Sequence, residues 1–133
     1  MSHYVDVTLE IKDEKALVLA LERLGFKGHV EIYKEAQNLY GYKGDMRPQK
    51  AHVILRQQYV GRLSNDIGFE RQADGRYHAH ISEYDGKTYD KAWQGKLISY
   101  YGIEKAKLEC DQKHWKYKED VDEKERPRLR ITV

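Results

Sequence analysis

Between Tyr40 and Asp85 the chain alternates apolar and polar residues in short runs separated by loops rich in Gly, Tyr and basic residues. A period of two over four to eight residues marks a half-buried strand. Several such runs in quick succession imply an antiparallel sheet. Ala51, Val53 and Leu55 alternate with His52, Ile54 and Arg56. Because Ile54 is also apolar, this strand is expected to be central, with its second face partly covered. Asp66 to Arg71 and Arg76 to Ser82 flank Ala73-Asp74-Gly75, and Asp-Gly between alternating runs is a strong hairpin signal. Tyr77, Ala79 and Ile81 then share one face, and His78, His80 and Ser82 the other.

Upstream, Val5, Val7, Leu9 and Ile11 alternate with Tyr4, Asp6, Thr8 and Glu10, which predicts another strand. Asp13 is placed to N-cap a helix from about Glu14 to Leu24, closed by Gly25 in the C′ position. Gly28 opens a weaker strand through Val30 and Ile32 that continues irregularly towards Tyr42, and Gly41 to Lys50 reads as a loop. Glu83 to Lys87 reads as a turn. Asp90 is the expected N-cap of a second helix carrying Trp93, Leu97, Ile98 and Tyr101, ending at Gly102. Ile103 to Gln112 reads as further helix, Trp115 to Val121 as a strand, and Leu129, Ile131 and Val133 as a last strand that Pro127 would open.

The 133 residues suit one α+β domain: a mainly antiparallel mixed sheet with two or three helices packed on one face, compatible with a ferredoxin-like variant. Residues 1–102 form the β-α-β-β-β-β-α region and 103–133 the tail. With 24 Lys and Arg against 22 Asp and Glu, no strong global field selects a polyanion. No apolar run approaches the roughly 20 residues a membrane helix needs, and the start lacks the layout of a signal peptide. Cys110 is the single cysteine, so the expected setting is a reducing cytoplasm and its expected role is a filler on a mixed helix or strand.

Met1-Ser2-His3-Tyr4, Leu24-Gly25-Phe26, Tyr42 to Arg56, Asp66-Ile67-Gly68-Phe69 and Tyr89 to Tyr101, in that order and spacing, carry a resemblance. The chain resembles domain-of-unknown-function family 1257, a group of conserved cyanobacterial and plastid-type proteins, over residues 1 to about 102. The resemblance implies a small α+β protein. It brings no agreed activity, no cofactor and no catalytic residues.

Tyr is over-represented, 11 against 2 Phe. The loop from Tyr40 to Lys50 mixes Tyr40, Tyr42, Lys43 and Arg47, and Arg56 follows in the next strand. From Lys27 to Arg62 seven cations face three acids, so a near-neutral chain contains a basic stretch. Tyr rings stack on bases while Lys and Arg neutralise phosphates. These five residues are the expected partner site of a non-catalytic binding or adaptor protein, for nucleic acid or another macromolecule. The plain alternative is a solvated loop on a sheet edge.

A second reading is a metal-assisted or acid/base enzyme. His78 and His80 lie about 7 Å apart on one strand face, with His52, Asp66 or Glu83 available as a further ligand. Alternation alone also explains that pair, so no metal or cofactor is assigned. A third reading is a self-associating subunit using an exposed strand edge as a homo-oligomer contact.

Overall fold

The computed structural model describes residues 2–133; Met1, the first residue of the family-like N-terminal tetrapeptide, lies outside them. The first strand, β1 (Tyr4–Leu9), leads into helix α1 (Glu14–Leu21). Asp13 caps α1 as expected, its Oδ1 accepting from the Ala16 amide at 3.0 Å. The helix runs on through a widened turn to Phe26, with Gly25 at φ 106°, where a side chain would be strained. Next come β2 (Val30–Tyr40) and β3 (Met46–Leu55), then a single helical turn, α2 (Gln57–Val60). The expected hairpin is β4 (Ile67–Arg71) and β5 (Tyr77–Ser82). It closes on Gly75 at φ 88°, with Asp74 accepting from the Arg76 amide. Helix α3 (Lys91–Gln112) and the strands β6 (Lys116–Val121) and β7 (Pro127–Thr132) complete the chain.

The five strands β1 to β5 form one sheet in the order β1-β5-β4-β3-β2, every pair antiparallel. The alternating directions leave β1 and β2 parallel at opposite edges, joined by α1. The ferredoxin-like layout survives only as that β-α-β connection, with three strands standing between its two strands.

One face of the sheet is covered by helices. Leu9, Val53, Leu55, Ile67, Phe69, Tyr77, Ala79 and Ile81 pack against Ala16, Leu17, Ala20, Leu21 and Phe26 from α1 and its extension, and against Leu97 and Tyr101 from α3. Burying each large aliphatic side chain here contributes about 1.5–3 kcal/mol. The Tyr101 hydroxyl accepts from the Lys12 and Asp13 amides, which ties α3 to the start of α1. Its neighbour Tyr100 is half-buried beneath the Arg23 guanidinium, so of the two adjacent rings Tyr101 is the one turned fully inward. Trp93 packs edge-on to Tyr89 at 4.9 Å, whereas Ile98, expected on the core stripe, is exposed. Cys110 is buried.

The other face is covered by the chain's own hairpin. Beyond Ile32 the pairing of β2 with β3 shifts register twice, and the arm bends over the sheet. Leu39, Ala51 and Ile54 form a second buried cluster there, flanked by Tyr4 and Tyr33. This is the cover that an apolar Ile54 required. Ala51 lies on this face, not with Val53 and Leu55. The stretch expected as a loop over Gly41 to Lys50 is half strand: β3 begins at Met46, and 41–45 form the turn. Paired backbone amides hold Met46 to Lys50 extended despite their polar side chains.

Gly102 does not end α3. Ile103 and Cys110 are buried on the same helix, and that packing offsets the roughly 1 kcal/mol a mid-helix Gly costs. The β6–β7 ribbon lies along α3, joined to it and to the widened turn after α1 by Glu119, which bonds Arg23 and Lys107. Among the described residues no helix is long and apolar enough to cross a membrane.

Candidate functional site

The segment between α2 and β4 organises the outer face. Asp66, 1% exposed, precedes β4, and its carboxylate is fully engaged. Oδ1 accepts from the Gln57 amide, and Oδ2 accepts from the Tyr40 amide and Arg56 Nη1, each at 2.8 Å. The Tyr4 hydroxyl donates to the Asp66 carbonyl at 2.6 Å. Burial and the nearby Asp66 charge hold the Tyr4 phenol above its ordinary value. Asp66 therefore pins the hairpin arm, the α2 turn and β1 together, a structural task that saturates its oxygens.

Its neighbour Asn65 repeats the pattern one residue earlier. Asn65 Oδ1 accepts from the Tyr42 amide, and Nδ2 donates to Ser82 Oγ at 2.9 Å. Ser82 in turn donates to Asp85 Oδ2, which also accepts from the Asn65 amide. Asn65, Ser82 and Asp85 are all buried. This network fixes three segments side by side: the hairpin tip at Tyr42, the loop before β4, and the turn after β5.

A cleft of about 490 Å³ opens above that network, lined by Ser2, Tyr42, Leu63, Asn65, Glu83, Tyr84 and Lys87. It continues past Ser2, Tyr42 and Asn65 into a smaller recess of about 150 Å³, where Lys43, Asp45 and Arg47 join the lining. Tyr42 is 43% exposed, Tyr84 47% and Leu63 61%. Leu63 holds φ at 61°, a left-handed conformation that branched side chains avoid, with its apolar side chain in solvent at the rim. Lys43 Nζ sits 5.6 Å from the Tyr42 ring centroid, so cation and aromatic face are presented together.

The five residues expected at a partner site divide into two groups. Tyr40, Tyr42 and Lys43 are exposed at the hairpin tip. Arg47 is turned inward, donating to the Ser2 carbonyl and lying 5.1 Å from the Tyr4 ring centroid, while its edge reaches the recess. Arg56 bonds Glu31 and Asp66. Burial works against the Arg56 charge, but its hydrogen bonds to Tyr33, Asp66 and Glu31 win and raise its pKa above the ordinary value. Arg56 thus serves the fold, and Leu63, Tyr84 and Lys87 are the lining residues that sequence reasoning missed. Only the strong turn signal at Glu83 to Lys87 could have pointed to two of them.

The residues of the enzyme reading take separate partners. His80, 5% exposed, lies between Asp6 Oδ1 at 2.6 Å on Nδ1 and Glu70 Oε1 at 2.8 Å on Nε2. His78 Nε2 meets the Thr8 hydroxyl at 3.1 Å. His52 Nδ1 accepts from the Arg71 amide, and burial together with the Arg71 charge lowers its pKa. Asp66 is held by Arg56, and Glu83 lines the cleft. Among the described residues no group of three or more His, Cys, Asp or Glu side chains has the arrangement to hold a metal ion.

Compared with known protein families, curated proteins and solved structures, the chain matches none, so the meaning of the cleft rests on its own residues.

Proposed function

We propose that this protein is a non-catalytic binding module that takes single-stranded nucleic acid at the hairpin-tip cleft. The observation that carries the reading is the joint lining of one 490 Å³ cleft by two exposed tyrosines, Tyr42 and Tyr84, together with Lys87. An unpaired base presents a flat apolar face to such a ring, and each stacked base contributes about 1–3 kcal/mol. Lys43 and Lys87 supply the positive charge that a phosphodiester needs beside the stacked base. The floor is already hydrogen-bonded through Asn65, Ser82 and Asp85, so it shapes the cleft.

An intracellular, cytoplasmic protein would meet such strands. Membership of domain-of-unknown-function family 1257, on the residues quoted above, is part of the proposal and adds no activity to it.

Fluorescence anisotropy of a labelled oligothymidylate tests the reading. Saturable binding should weaken about ten-fold in Tyr42→Ala and in Tyr84→Ala, consistent with the loss of one stacked base. Affinities equal to wild type in both variants, with folding intact, would reject the cleft as the site.

A further inference from the structure

The β6–β7 ribbon carries a charged face that lies apart from the cleft and whose cations outnumber what its own ion pairs use. Cross-strand register sets Lys116 opposite Thr132, Lys118 opposite Arg130 and Asp120 opposite Arg128 on one face. The alternate face carries Tyr117, Glu119, Leu129 and Ile131. Docking uses that alternate face: Glu119 bonds Arg23 at 2.9 Å and Lys107 at 2.6 Å. Lys116, Lys118, Arg128 and Arg130 all remain exposed on the outer face.

Four cations there meet one carboxylate. Asp120 pairs with Arg128 at 2.8 Å and Arg130 at 3.1 Å, while Lys116 and Lys118 enter no ion pair among the described residues. Lys118 stands directly across from Arg130. Like charges opposite one another destabilise an antiparallel pair. Asp120 offsets part of this charge, and a chain whose net charge is only +2 still gathers a surplus of three positive charges on one face of the ribbon. A polyanion laid on the ribbon relieves that repulsion.

The shape selects among polyanions. A two-residue step spaces successive cations on each strand by about 6.8 Å, and the strands lie about 4.8 Å apart. A ribbon of that width enters the major groove of B-form DNA, about 12 Å wide, whose two walls are lined with phosphates. An anionic bilayer fits less well, because the outer face has no apolar side chain to insert. A strand-adding acidic peptide would take the ribbon edge and leave this face unused.

We propose that the outer face of the β6–β7 ribbon binds double-stranded DNA, with Lys116 and Lys118 contacting one phosphate strand and Arg128 and Arg130 the other. This surface is separate from the cleft, and the two assignments fail independently.

The test is anisotropy of a labelled 20-base-pair DNA duplex with the full chain, over a series of salt concentrations. Neutralising four phosphates gives log K against log salt a slope of about −3.6. Combining Lys116→Gln with Lys118→Gln should weaken duplex binding at least about ten-fold. The slope should shrink by about 1.8, because two phosphates then keep their counterions. Single-strand binding at the cleft should not change, and the urea midpoint should hold or rise as the repulsion is removed. A second variant, Arg130→Gln, should shrink the slope by about 0.9. Wild-type protein without saturable duplex binding at 50 mM salt overturns the proposal. Duplex affinity unchanged in both variants does so too, as does binding confined to anionic vesicles or acidic peptides.

Discussion

Arg56 Nη1 lies 2.8 Å from Asp66 Oδ2, joining the end of β3 to the residue before β4 across the outer face of the sheet. Asp66 is 1% exposed and Arg56 has 21% of its side chain in solvent. Removing the cation leaves a buried carboxylate with only amide donors, and breaking such a pair from one side is strongly destabilising. Arg56→Ala should lose about 2–3 kcal/mol, at the lower end because Arg56 is partly solvated. Urea unfolding reads this directly; a loss under about 0.5 kcal/mol, the size of an ordinary surface change, would contradict it.

Two glycines should respond in opposite directions to alanine. A Cβ at Gly68 would stand 2.5 Å from Ala51 Cβ and 2.8 Å from Leu39 Cδ2, where the hairpin arm crosses β4. Gly68→Ala should cost about 1–3 kcal/mol through overpacking. At Gly102, inside α3, an added Cβ meets nothing within 4 Å, so Gly102→Ala should stabilise by up to about 1 kcal/mol. Thermal melts of both variants check the pair, and equal shifts in one direction would show the arm packing to be misjudged.

His80 bridges β1 to β4 through Asp6 and Glu70. Each contact is a hydrogen bond when the facing ring nitrogen carries its proton. His80→Leu removes both and leaves two carboxylates facing an apolar side chain, so stability should fall by about 1–3 kcal/mol. Nucleic-acid affinity at the cleft should stay as in wild type. A lost affinity with unchanged stability would place His80 in the binding site instead.

The ribbon should loosen in acid. The Arg23 hydrogen bond, with a further contribution from Lys107, lowers the Glu119 pKa from its usual value to about 2. A depressed carboxylate stabilises the fold fully above its unfolded value of about 4.5 and loses that contribution as pH falls towards the folded value. Glu119→Gln should therefore be less stable than wild type at pH 6, and the two should converge as the pH approaches 2. A stability gap that stays constant from pH 6 to pH 2 would mean that the Arg23 and Lys107 contacts give no linkage.

Much of the scaffold was legible because its determinants are local. Val5 to Ile11 and Tyr77 to Ser82 show strand alternation, and Asp13, Asp90 and Asp74-Gly75 mark helix starts and a turn by chemistry that acts within four residues. The apolar Ile54 even disclosed a covered second face. What covers it was not legible, because the arm from Tyr33 to Lys50 is held by bonds to Ser2 and Asp66, far away in sequence.

The same reason limited the site. Tyr42 and Lys43 stood out by composition, but Tyr84, Lys87 and Leu63 reach the cleft only through the Asn65, Ser82 and Asp85 network. Arg47 and Arg56 looked like free cations because their partners, the Ser2 carbonyl, Glu31 and Asp66, are brought to them by folding alone. His78 and His80 share a strand face, yet cross-strand pairing gives one to Thr8 and the other to Asp6 and Glu70.

The central claim is that the hairpin-tip cleft receives an unpaired strand, and backbone amide NMR during titration with a short single-stranded oligonucleotide tests it most directly. Saturable shifts should cluster at Tyr42, Lys43, Asn65, Tyr84 and Lys87, with the α1 and α3 helices unmoved. No saturable shifts, or shifts gathered away from these residues, would contradict the assignment.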